Sequence, residues 1–201
     1  MELKLSSVTL HSKINTDIDL NCIVEINSSN SSNSFNISYH SSKKNNNKGN
    51  FYNSLIFRVS YKDSPNISCN IFSNGSIQVS GLKSLNTSNE IIHYIYEILM
   101  NYFSEALKDP KCTCGETKIC NIKYYLKLGK PINQISLKNR INDVYSKEGW
   151  QIATFNSDNF YGVKAQYSLD KLIFFRTGTV CINTKNPDNL EKILEEVKKL
   201  F

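Results

Sequence analysis

Asn70-Ile71-Phe72-Ser73-Asn74-Gly75-Ser76-Ile77-Gln78-Val79 and, further along, Ile173-Phe174-Phe175-Arg176-Thr177-Gly178-Thr179-Val180-Cys181-Ile182 are two versions of one phrase. Each runs from an aromatic through two turn residues and a glycine into an alternating strand, with Asn74-Gly75 marking a hairpin in the first copy. Each then leads into an amphipathic helix. After the first copy Ile91, Ile92, Ile95, Ile98, Leu99, Tyr102 and Phe103 recur at helical spacing; after the second, Leu190, Ile193, Leu194, Val197, Leu200 and Phe201 do the same. Upstream, Phe51-Tyr52-Asn53 and Phe160-Tyr161-Gly162 open the preceding strands. One such match is weak, but several in the same order argue for an internal duplication.

Working outward, strands are predicted over Glu2–His11, Phe35–Tyr39, Ser54–Tyr61, Ile67–Ser73 and Ser76–Ser80 in the first half. In the second they fall at Ile119–Leu128, Trp150–Phe155, Gly162–Tyr167, Lys171–Arg176 and Thr179–Asn183. Short helices are expected over Thr16–Asn27, capped by Thr16 or Asp17, and over Ser136–Glu148. Thr87 and Glu90 have the spacing of a capping box, and Pro187 follows Asn186 as a helix start. The expected organisation is a first repeat over 1–110, a linker over 111–118 and a second repeat over 119–201. Within the first repeat, 28–50 is an Asn/Ser-rich, low-complexity insertion.

A sheet with helices on one face leaves the other face open. By alternation Ile71 and Ile77 point towards the helices, and Phe72 and Gln78 point away. An aromatic on an open face suggests a partner, although Phe72 and Phe175 could also simply cover the edge of a core.

The chain has 201 residues, is 40% hydrophobic and carries a formal charge of +6, which suits a polyanionic partner without requiring one. Its Arg residues are Arg58, Arg140 and Arg176; the remaining positive charge is Lys, and the wealth of Lys, Asn and Ile has the look of A+T-rich coding. No basic-then-apolar leader opens the sequence and no apolar run reaches membrane-spanning length, so no membrane association is expected. The six cysteines are read as reduced thiols. Cys112, Cys114 and Cys120 form the one cluster with a metal-like aspect, but the spacing is not that of a paired knuckle; metal, plain linker and disulfide all stay open. His11, His40 and His93 lie in unrelated contexts, and Gly75–Gly81 lacks a phosphate-loop ending, so no catalytic site, cofactor or small-molecule substrate is expected. Glu195, Glu196, Lys198 and Lys199 read as a solvated helix face, and Lys43, Lys44 and Lys48 as a soluble loop.

Taken together these residues resemble the TATA-box-binding protein family, in particular divergent versions from large DNA viruses. The likeness is carried by Ile71-Phe72-Ser73-Asn74-Gly75, by Ser80-Gly81-Leu82-Lys83-Ser84, by Phe155 to Val163, and by Lys130-Pro131-Ile132. It implies an α+β saddle: a pseudo-twofold duplicated unit, one curved antiparallel sheet of about ten strands, and four helices on the convex face. It further implies a non-enzymatic factor that grips double-stranded A+T-rich promoter DNA in the minor groove, kinks it with aromatic wedges and recruits a transcription-factor-B-like protein or RNA polymerase. Such a protein would work in a nucleus or a cytoplasmic viral factory.

Carried over residue by residue, the wedges are Phe72 with Phe51 or Tyr52, and Phe175 with Phe160. The DNA-contacting positions are Arg58, Gln78, Ser80, Lys83, Asn121, Cys181 and Asn183. The sequence also departs from the pattern. Leu3 is read at the place of the first-repeat Asn, Ser76 and Thr179 replace lysines, Gln166 stands where a second Arg belongs, and the counterpart of Lys83 is Lys185 or lost. Those departures motivate an alternative, a saddle-shaped protein-interaction adaptor that has lost strong DNA binding. An accessory domain of an enzyme is a third class.

Overall fold

Two-residue alternation becomes strand after strand in the computed structural model, which describes residues 1–29, 35–40, 54–146, 148–158 and 160–201. Ten strands are formed among the described residues: β1 (Glu2–Lys13), β2 (Asn36–His40), β3 (Ser54–Tyr61), β4 (Ser64–Phe72), β5 (Ser76–Leu82), β6 (Lys118–Lys127), β7 (Trp150–Asn156), β8 (Phe160–Tyr167), β9 (Asp170–Phe175) and β10 (Thr179–Thr184). Four α-helices accompany them among the described residues: α1 (Leu20–Ser29), α2 (Ser88–Tyr102), α3 (Gln134–Arg140) and α4 (Leu190–Lys199). The expected α+β class and element count are therefore present.

The chain divides into two compact units, Val8–Cys120 and Met1–Ser7 with Asn121–Phe201. This boundary differs from a cut at residues 111–118, because β1 is shared. Its first residues belong with β6, where Glu2 meets Lys127 at 3.4 Å, and the rest pairs antiparallel with β5. The segment read as a linker is zipped along the end of β1. Gly115 N–H donates to the Lys13 carbonyl at 2.7 Å, Asn15 N–H to the Thr113 carbonyl at 3.1 Å, and the Ser12 hydroxyl to the Gly115 carbonyl at 2.9 Å.

In the unit Val8–Cys120 the strand order is β2-β3-β4-β5-β1. Leu55, Phe57, Cys69, Ile71, Ile77, Val79, Val8 and Leu10 are buried on one face. That face meets helix α2 and its tail: Phe57 and Phe103 are 5.7 Å apart, and Tyr61 and Tyr94 5.1 Å. Ile91, Ile92, Ile95, Ile98 and Leu99 complete the core from α2. Asp19 caps α1, accepting from Asn21 and Cys22 N–H at 3.0 and 3.2 Å. The expected cap Thr16 is buried and accepts from Asp109 N–H at 2.9 Å instead. The capping box does not form either, since Thr87 donates to the Ser84 carbonyl and Glu90 pairs with Lys62.

In the unit built on Asn121–Phe201 the order is β6-β10-β9-β8-β7. Val163, Tyr167, Leu172, Phe174, Val180, Ile182, Ile122 and Leu126 form the buried face. Helix α4 covers it through Ile193 and Val197, and Phe201 beyond its end lies 6.3 Å from Phe174. Asn133 caps α3 by accepting from Ser136 N–H at 3.1 Å. The helix read as Ser136–Glu148 is shorter, and Ile141–Tyr145 winds as a π turn that leaves Val144 exposed.

The repeated phrase has one geometry in both units. Gly75 N–H donates to the Phe72 carbonyl, and Gly178 N–H to the Phe175 carbonyl, each at 3.0 Å. Both glycines have positive φ, +79° and +85°. The hairpin is thus a turn through Ser73-Asn74 followed by a left-handed Gly75, not a two-residue Asn-Gly turn. The glycine carbonyls accept from Ile14 and Leu128 N–H, both at 2.9 Å. A Cβ at Gly75 would overlap the Ile14 carbonyl, and one at Gly178 the Lys130 carbonyl.

The cysteines scatter. Cys112 is buried beside Met100, with the two sulfurs 3.9 Å apart. Cys114 faces Ser12 at 3.5 Å, and Cys120 the Lys118 carbonyl at 3.9 Å. All six thiols are free, and among the described residues no three His, Cys, Asp or Glu side chains converge on a metal position. Burial pushes the Cys69 and Cys112 thiols above their ordinary range.

Two outcomes follow from this packing. Gly178→Ala forces a left-handed alanine against a carbonyl and should lower stability by about 1–3 kcal/mol in urea unfolding. Under native conditions a maleimide should label Cys22, Cys114 and Cys120 well before buried Cys69, Cys112 and Cys181, as mass spectrometry of timed aliquots would show.

Candidate nucleic-acid interface

Hydrogen-bonded register lines side chains up across strands, so the faces turned away from the helices are read as transverse rows. In the unit Val8–Cys120 one row is Thr9-Ser80-Ser68-Arg58-Asn36 and the next is His11-Gln78-Asn70-Ile56-Ser38. In the other unit the rows are Lys123-Asn183-Lys171-Gln166-Gln151 and Tyr125-Cys181-Ile173-Lys164-Thr154. Aromatics close each set: Phe72 stands across from Ser54, and Phe175 from Gly162.

The register identifies equivalent residues. Phe72 matches Phe175, Ser54 matches Gly162 and Arg58 matches Gln166. Two positions before Ser54 and Gly162 stand Tyr52 and Phe160, which selects Tyr52 over Phe51 as the counterpart; both Phe51 and Tyr52 lie outside the described residues. On β1, Ile14 and Leu128 are equivalent because each donates to its hairpin glycine. Counting back from them, the counterpart of Asn121 is Ser7, not Leu3.

Phe160 and Phe175 form a half-buried pair with centroids 6.1 Å apart and planes at 55°. The Lys164 ammonium lies over the Phe160 ring, 4.6 Å from its centroid. Gly162 makes the pair possible, since a Cβ there would stand 2.6 Å from Phe160 Cε1 and 2.7 Å from Ile173 Cγ2. Phe72 is likewise half-buried, as are Gln78, Ser80, Asn121 and Asn183, while Arg58 and Lys83 are exposed. Ser80 donates to the Ser68 carbonyl at 3.4 Å, and Lys83 N–H to Ser64 Oγ at 3.0 Å beyond the open rows.

Cys181, one of the expected contacting residues, lies deeper than the others. It is 2% exposed, flanked by the larger Tyr125 and Ile173, and accepts from Asn183 Nδ2 at 3.6 Å, so it offers a partner almost no surface. Burial raises its pKa, and the Lys123 charge pulls partly the other way. Lys123, Lys164 and Lys171, which are not among the expected contacts, each share strand parity with a residue already assigned to the open face.

Known proteins share the fold that carries these faces. The family model described as "Transcription factor TFIID (or TATA-binding protein, TBP)" matches residues 2–102, just over half of the chain. Among solved structures, Methanococcus jannaschii TBP matches with a TM-score of 0.66 and 21% identity, over 100% of this chain and 98% of its own; at that identity the likeness is one of fold. A complex of A. aeolicus tRNASec with M. kandleri SerRS, at TM-score 0.35 and 11% identity over 100% of this chain and 30% of that one, is too loose a likeness to weigh. No curated protein matches the sequence. Family match and whole-chain fold agree with the duplicated hairpin: the chain belongs to the TATA-binding protein (TBP) family.

Proposed function

We propose that this TBP-family chain is a transcription initiation factor that binds A+T-rich promoter DNA through the minor groove, bends it, and recruits a transcription-factor-B-like protein or RNA polymerase. It would act where its template is transcribed, in a nucleus or a cytoplasmic viral factory. The observation that carries the reading is the Phe160–Phe175 pair, held half-buried at the end of an uncovered sheet face over a glycine that leaves it room.

The physical sequence is short. Unstacking one base step costs a few kcal/mol, and a flat ring that enters the step recovers about 1–3 kcal/mol per stacked base. A TA step opens most readily, which favours A+T-rich sites. Phe72 supplies the corresponding ring in the other repeat, with Tyr52 as its proposed companion. On the open face of each unit, the small or amide-bearing side chains, Gln78 and Ser80 in one and Asn121 and Asn183 in the other, can hydrogen-bond minor-groove acceptors without crowding them.

One observation favours the adaptor reading instead. The rows through Ser68, Asn70, Gln78 and Ser80 carry a single full cation, Arg58, and so attract phosphate weakly.

Fluorescence energy transfer across end-labelled duplexes separates the two. An A+T-rich duplex should bend and a G+C-rich one much less, and Phe160→Ala/Phe175→Ala should abolish the bend while thermal melting still shows a folded protein. A wild type that bends neither duplex leaves the adaptor as the better account; a bend that survives the double substitution removes the wedge role. Gly162→Val, which keeps both rings but pushes Phe160 aside, should reduce the bend with only a modest drop in Tm.

A further inference from the structure

The two open faces are built on the same register yet differ in charge. Where the second repeat has Lys123, Lys164 and Lys171, the first has Thr9, Ile56 and Ser68 at the equivalent row positions. The one exchange in the other direction is Arg58 against Gln166. Lys13 and Lys127 match each other, and Lys127 is partly occupied by Glu2 at 3.4 Å. No carboxylate stands in the four rows described above, so nothing within them offsets the three lysines.

The three are also placed to act together. Lys123 and Lys171 flank Asn183 on successive strands, at a strand spacing of about 4.8 Å. Lys164 and Lys171, with Gln151, Gln166 and Asn183, line a groove of about 290 Å³ on this face. Lys164 further lies against the Phe160 ring, so a ring entering the duplex carries a cation to the neighbouring backbone. Point charges spread over several strands, with amide donors between them and an aromatic pair at one end, suit a regular polyanion better than a single acidic side chain.

Building on the DNA-binding reading above, we infer that the electrostatic grip on the duplex is lodged in one half of the protein: Lys123, Lys164 and Lys171 contact backbone phosphates, and the first repeat meets DNA with largely neutral groups. Both repeats then wedge the groove, and the second alone also holds the backbone.

The salt dependence of binding tests this directly. Fluorescence anisotropy of the full chain on an A+T-rich duplex gives log Kobs against log salt, where each neutralised phosphate contributes a slope of about −0.9. Lys123→Gln/Lys164→Gln/Lys171→Gln should flatten the slope by about 2.7, and Arg58→Gln by no more than about 0.9. A reciprocal variant, Thr9→Lys/Ile56→Lys/Ser68→Lys, should steepen it, which keeps the test alive if the first variant folds poorly. Wild-type binding with a slope that the lysine substitutions move no more than Arg58→Gln does overturns the one-sided grip and leaves DNA binding intact. A wild type that binds no duplex at any salt removes the DNA-binding reading itself.

Discussion

A glycine with no room for a side chain fixes the rest of this architecture. Gly75 and Gly178 each close a hairpin, turn the chain through left-handed backbone, and offer a carbonyl to the strand on which the repeat begins. The aromatic three residues earlier is thereby set at the end of its strand, and the strand after the glycine starts in fixed register. A shift of one residue would exchange the two faces, burying Gln78 and exposing Ile77 and Val79. Core packing and the placement of Phe72 and Phe175 therefore depend on the same turn.

Much of this was legible in the sequence because strand alternation and turn glycines are local signals. All ten strands were expected within a few residues of where they lie, and α2 and α4 were plain from their apolar stripes. The failures have nonlocal causes. Thr16 is a sound helix cap by type, but Asp109, distant in sequence, takes its hydroxyl, and the cap passes to Asp19. Glu90 has capping-box spacing, but Lys62 across the surface takes its carboxylate and holds its pKa below the ordinary range.

At the open faces, too, nonlocal packing decides what strand parity and position in the chain do not. Leu3 was read at the place that answers to Asn121, whereas hydrogen bonds at Ile14 and Leu128 make Ser7 the counterpart. Cys181 has the parity of the open face, and parity alone cannot show that Tyr125 and Ile173 cover it. The lysines were passed over because they stand where no motif residue was sought, although alternation from Asn121 reaches Lys123 in one step.

Comparing the halves shows where the two repeats were free to diverge. Inward positions repeat in kind: Ile71 and Phe174, Ile77 and Val180, and Val79 and Ile182 are all fully buried apolar groups. Removing one leaves a cavity that costs about 2–5 kcal/mol for a large side chain. Outward positions answer to no such constraint, and substitutions there usually change stability by no more than about 0.5 kcal/mol. Ile56 against Lys164 and Ser68 against Lys171 are thus nearly neutral for folding and large for any charged partner. A duplicated sheet can in this way keep one backbone and give its two faces different work, with Gly162 as the exception: an outward position held to glycine by the rings that pack over it.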